Sequence, residues 1–154
     1  MQFGGNKHSR KEASMKRFLK LLSLTILAGI LLAVFTIVQA EVCFKGAESY
    51  AFFCGDSSKN CREVSASKNT ALKKLTLSDI CGESAEYSSL DIDSFLKSVN
   101  GEIIFVEKLS DSVNYYCKAD LPYSVTLYGE QINLHICVRE RGIKVGTPLI
   151  FGGF

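Results

Sequence analysis

Beyond residue 40 the chain carries six cysteines, Cys43, Cys54, Cys61, Cys81, Cys117 and Cys137, and a single histidine, His135. In an oxidising compartment an even set of thiols permits three disulfides, in any of 15 connectivities. Cys54 and Cys61 flank the polar stretch Gly55-Asp56-Ser57-Ser58-Lys59-Asn60. Strands paired across that loop would bring the two thiols together, so they are the first disulfide candidate. Cys117 and Cys137 are the second, although their phases within their strands suggest that they face opposite sides of a sheet. There is no Cys-x-x-Cys, and one histidine cannot complete an ordinary zinc set, so no metal site is expected. Cys137 and His135 stand two residues apart on one expected strand. That spacing is about 7 Å, too long for a thiol–imidazole hydrogen bond, and weak ground for a nucleophilic dyad. Asp91 and Asp93 are better explained as a helix N-cap and a first-turn charge than as a catalytic acid pair. The glycines of GIKVGTPLIFGGF have no following helix to present amides to a phosphate, and no cofactor motif occurs elsewhere.

These residues lie downstream of MKRFLKLLSLTILAGILLAVFTIVQA, residues 15–40. Lys16, Arg17 and Lys20 precede an uncharged run from Leu21 to Val38, and Val38-Gln39-Ala40 offers the small residues that a signal peptidase reads. The run is at the lower limit for crossing about 30 Å of hydrocarbon, so cleavage after Ala40 and retention as an anchor are both open. Ser23, Thr25, Gly29 and Thr36 dilute the run, which favours cleavage. Positive charge before it places residues 41–154 outside the cytoplasm in either case. Residues 1–14 read as a disordered tail or a mis-assigned start ahead of Met15, and residues 41–154 as one exported domain.

Removing the six Lys/Arg and one Glu of residues 1–40 leaves 12 Lys/Arg against 15 Asp/Glu, a charge of −3. A mildly acidic domain lacks the basic footprint that phosphate backbones require, so nucleic acid is excluded as an expected partner.

Periodicity organises the exported part. Glu48 to Ala66 reads as two strands around the polar loop, Ser67 to Ile80 as a short amphipathic helix, and Glu83 to Ser88 as a short strand. Asp91 can cap a helix presenting Ile92, Phe95, Leu96 and Val99 on one face, ended by Asn100-Gly101. Strand patterns follow over Glu102 to Leu109, Val113 to Lys118, Ser124 to Tyr128 and Gln131 to Arg139, the last two forming a hairpin about Gly129-Glu130. A final strand, Ile143 to Phe151, is expected at an edge or beside a bulge because it contains Pro148. The fold class is α+β: a curved antiparallel β-sheet with two helices packed on one face, behind an N-terminal signal or transmembrane helix. Tyr50, Phe52, Phe53, Tyr115, Tyr116, Tyr123 and Tyr128 recur at strand period, where cross-strand packing outranks a ligand shelf. An exposed tyrosine row would nonetheless be the best binding site.

The strings NYYC, INLHICV and VGTPLIFG, set in the order of elements above, resemble exported Firmicute proteins of the YwmB type. The resemblance covers most of residues 46–154 and implies a TATA-box-binding-protein-like sheet carrying helices. It also implies a protein of spore-forming lineages with no assigned biochemical activity. None of those strings is a catalytic signature. The expected function is therefore a non-enzymatic binding or accessory role toward an envelope protein or wall component, with the membrane as a further partner through Leu21 to Val38 if the leader is kept. The alternative is a small exported enzyme or thiol redox protein using Cys137 and His135.

Overall fold

The computed structural model describes residues 6–39, 41–55 and 60–151. The expected cleavage position at Ala40, the centre of the polar loop at 56–59, and the segments 1–5 and 152–154 lie outside the described residues. The chain divides into two compact units, Met1–Gln39 and Ala40–Phe154.

The first unit is one helix, α1 (Asn6–Gln39). Its segment Met15–Thr36 has a mean hydropathy of 2.4, with none of its most apolar stretch buried. At 1.5 Å per residue those 22 residues reach about 33 Å, enough to cross a bilayer by length and composition. A signal sequence has the same character. The polar residues that argued against retention are internally satisfied: Ser23, Thr25 and Thr36 donate to the carbonyls of Lys20, Leu21 and Ala33 at 2.9, 2.9 and 2.8 Å. Hydroxyls bonded back to their own helix leave no free donor toward lipid, so these residues do not weigh against an anchor.

The second unit is α+β. Its elements are β1 (Ser49–Cys54), β2 (Arg62–Ala66), α2 (Thr70–Leu75), β3 (Ile80–Tyr87), α3 (Ile92–Ser98), β4 (Glu102–Lys108), β5 (Val113–Lys118), β6 (Val125–Leu127), β7 (Glu130–Ile132), β8 (Leu134–Arg139) and β9 (Gly142–Thr147). Seven strands form one antiparallel sheet in the order β2-β1-β3-β9-β8-β5-β4, and β6 with β7 forms a separate hairpin.

Alternation along the strands sorts side chains onto two faces. On one, Ala85, Tyr87, Cys117, Leu134, Ile136 and Val145 are buried under Phe44 and Leu96, with Ile92 and Phe95 of α3 and Val99 at its C-terminal cap packed around them. Full burial of residues such as Leu134, Ile136 and Val145 contributes roughly 1.5–3 kcal/mol each. α3 forms where its sequence predicts: Asp91 Oδ1 accepts from the amides of Asp93 and Ser94 at 3.2 and 3.5 Å, and the Gly101 amide closes the C-terminus on Leu96 O at 2.7 Å.

Four expectations are revised. β3 is eight residues long and central, not a short strand. The helix expected over Ser67 to Ile80 is only six residues long and buries none of its side chains. The hairpin turn is Tyr128-Gly129, with φ of 52° and 87°, one residue earlier than the pattern suggests, because Leu127 pairs with Glu130. The final strand is neither an edge nor bulged in its two ladders. Pro148 lies just past Thr147, so its missing N–H costs the ladder nothing, and β9 sits between β3 and β8.

The run Gln131 to Arg139 also divides, at Asn133. There the buried amide takes the place of a strand partner: Oδ1 accepts from the Ala119 amide at 2.6 Å, and Nδ2 donates to the carbonyls of Ala119 and, at 3.4 Å, Leu121. Its own N–H donates to Cys117 O at 3.1 Å. Replacing Asn133 with Ala strands the amide and carbonyl of Ala119 in a buried site. The expected loss is about 2–3 kcal/mol of unfolding free energy, read as a lower urea midpoint with unchanged m-value.

Candidate functional site

Strand register builds the most distinctive surface feature. Phe105 pairs with Tyr116 across β4 and β5, and Tyr116 pairs with His135 across β5 and β8. Cross-strand partners share a face, so the three rings stand in a row. Phe105 and Tyr116 stack at 4.4 Å with 20° between planes, and Tyr116 and His135 at 4.5 Å with 13°. Tyr128, carried at the tip of the β6–β7 hairpin, meets Phe105 edge-on at 5.7 Å and 69°, and is 88% exposed. Glu107 accepts from the Tyr116 hydroxyl at 3.2 Å.

Leu127, Leu149 and Ile150 complete an open pocket of about 460 Å³ around these rings. That volume lies within the range of small-ligand sites, and the wall mixes apolar side chains with the polar groups of Glu107, Tyr116, Tyr128 and His135. The chain after β9 supplies one wall by folding back across the sheet. Its passage requires glycine beneath it: a Cβ on Gly146 would come within 2.9 Å of Leu149 O and Ile150 N, and one on Gly82 within 2.7 Å of Thr147 O and the Phe151 ring. Phe151 then packs on Phe53 at 5.1 Å.

His135 is held on both sides. Its Nδ1 accepts from the Ile150 amide at 3.3 Å, which leaves the proton on Nε2 to be donated to Asn114 Oδ1 at 3.1 Å. Burial lowers its pKa from 6.5 to about 4, so the ring is neutral. A general base needs a free nitrogen, and neither is free in this arrangement. Cys137, the next residue on that face, is buried, and desolvation raises its thiol above the ordinary range despite the nearby Arg139 charge. These two residues share a face as their spacing predicts, but without an assembled dyad.

All six cysteines are free thiols in the structure. Cys54 is opposite Arg62 rather than Cys61, and Cys61 instead places its sulfur 3.8 Å from that of Cys81. Cys117 pairs with Leu134 and Cys137 with Asn114, so this second candidate pair does face opposite sides of the sheet. Among the described residues no group of three or more His, Cys, Asp or Glu side chains is arranged to hold a metal ion.

In two other polar clusters the charged groups are paired with one another. On the helix-covered face Glu83, 2% exposed, is ion-paired with Lys74 and accepts from the Cys43 amide at 3.0 Å. Burial, reinforced by the Glu83 charge, pushes the Cys43 thiol up to about 12, and burial likewise raises Tyr123. On the opposite face a groove of about 250 Å³ over β1, β2 and β3 is lined by Ser49, Ser65, Ser84, Glu86 and Lys144, but Lys144 and Ser49 both bond to Glu86, at 3.2 and 3.0 Å.

Sequence reading picked out Tyr116 and Tyr128 but missed Phe105, Leu149 and Ile150. Phe105 was hidden in an apolar run, and the back-folding of 149–151 leaves a signal only in Gly82 and Gly146. No protein-family model, curated protein or solved structure matches the chain.

The buried neutral histidine makes a pH prediction. Its folded pKa lies below the unfolded value, so the unfolded chain binds the extra proton first. The stability due to neutral His135 is complete above pH 6.5 and is lost as pH falls toward about 4. Thermal melts between pH 7 and 5 should decline more steeply for the wild type than for His135→Gln; parallel slopes would refute this assignment.

Proposed function

We propose that the chain is an exported or membrane-tethered, non-enzymatic binding module of the cell envelope whose aromatic pocket takes a component of the wall. The observation that carries this reading is Tyr128, a large ring left 88% exposed at the rim of a pocket walled by Phe105 and Tyr116. An exposed aromatic beside a carboxylate and a phenol suits a sugar ring, which offers C–H groups to the aromatic face and hydroxyls to Glu107. The apolar segment Met15–Thr36 supports delivery to or across a membrane, as leader or as anchor. The YwmB-type identity, with its Firmicute and sporulation setting, belongs to this proposal. It rests on strings that fall on β5, β7, β8, β9 and the segment that follows β9, none of which is a catalytic signature. An enzymatic reading based on Cys137 and His135 would require His135 to give up one of its two hydrogen bonds, and no observation favours it.

Two measurements test the proposal. Protease added to intact cells should digest residues 41–154, and recovery of that part only from the cytosolic fraction would defeat export. The full chain in detergent should co-sediment with purified peptidoglycan, and Tyr128→Ala should weaken retention by about 1–2 kcal/mol, roughly 5- to 30-fold in Kd, without altering the melt. Equal retention of wild type and variant would defeat the pocket assignment.

A further inference from the structure

We propose that Cys61 and Cys81 are the disulfide-forming pair of this domain, bridging the start of β2 to β3 across the intervening strand β1. Their sulfurs lie 3.8 Å apart, in van der Waals contact, and a bond of about 2 Å requires them to approach by roughly that same distance again. Cys54, the partner that sequence spacing assigns to Cys61, is the last residue of β1, opposite Arg62 on one side and Ile80 on the other, at an irregularity in the ladder. The register therefore sets Cys54 between the two bridge positions rather than against either one.

The segment that the bridge would close is the part of the domain most in need of it. β2 is an edge strand with largely exposed side chains, held to the sheet through β1 alone. α2 buries none of its side chains, and Lys74, bonded to Glu83 and to the Glu41 carbonyl, is its polar hold on the rest. A link between residues 20 apart removes entropy from the unfolded chain where the core supplies little stabilisation. Burial, with the Cys81 contact, pushes the Cys61 thiol up to about 11, which suits a structural bridge better than a reactive thiol.

The chemistry needs an external disulfide, RS–SR, as oxidant. One protein thiolate attacks it, forming a mixed disulfide and expelling RS⁻. The second protein thiolate then attacks the protein sulfur of that mixed disulfide, forming the Cys61–Cys81 bond and expelling the second RS⁻. The two protons from the cysteines end on the two RSH molecules, and the oxidant gains the two electrons the protein loses.

Trypsin distinguishes the possible pairs, because Lys45, Lys59, Arg62, Lys74 and Lys97 place Cys54, Cys61 and Cys81 on separate peptides. The full chain in detergent is incubated with glutathione disulfide at pH 8.5, alkylated and digested without reductant. The expected product is a linked peptide pair containing Cys61 and Cys81, present in wild type and Cys54→Ser and absent from Cys61→Ser and Cys81→Ser. Reduction should lower the wild-type melting temperature by roughly 10 °C and leave a Cys61→Ser/Cys81→Ser double variant unmoved. Linkage of Cys54 to either thiol, a glutathione adduct left on Cys61, or full alkylation of all three peptides in the wild type would overturn the pairing. The oxidation is performed on isolated protein, so failure of export in cells leaves this result standing, and the reverse.

Discussion

The structure depends on the central placement of β9. β1, β2 and β3 form one ladder early in the chain, and β4, β5 and β8 form another from later residues. Gly142–Thr147 is hydrogen-bonded to both, to β3 on one side and β8 on the other. Val145 lies between Ala85 and Ile136 with all three buried, so the same six residues that zip the ladders also join their apolar faces. Without that strand, two short ladders would each expose a row of unpaired amides and half a core.

Seen this way, what sequence could and could not disclose has a physical explanation. Strands and α3 were legible because alternation and capping are local: Asp91 needs only Asp93 and Ser94, and Ile132, Leu134 and Ile136 advertise their face by period alone. Lateral order was not legible, since Pro148 marks only the end of a ladder and says nothing about what lies beside it. Asn133 falls inside the single strand expected over Gln131 to Arg139, whereas its amide replaces a backbone partner and divides that run in two. The face of β8 that carries His135 is met by Leu149 and Ile150 of the returning chain, a contact that no local pattern announces. Thiol partnership likewise depends on registers that no spacing rule contains. The aromatic pocket shares this limitation: two of its rings were visible as strand-period tyrosines, but the assembly exists only through pairing of β4, β5 and β8.

The two faces treat buried polarity in opposite ways. On the helix-covered face Glu83 holds Lys74 and the Cys43 amide, tying the segment after residue 40 and α2 to the sheet. On the other, His135 is held neutral between Asn114 and Ile150, and so anchors the returning chain without introducing a charge beneath the aromatic row. A buried ion costs several kcal/mol unless paired, and a neutral ring costs far less. His135 therefore adds no charge to the pocket floor although it is titratable.

The outermost strands, β2 and β4, carry a further consequence. Each offers one side of its backbone to solvent, the geometry through which sheets recruit foreign strands. β2 bears Arg62 and Glu63, and β4 bears Glu102, Glu107 and Lys108 together with a register break between Ile103 and Phe105. If the chain is tethered, neighbouring copies share a plane and meet far more often than in free solution. Charged and kinked borders of this kind would keep such a crowded population from polymerising edge to edge.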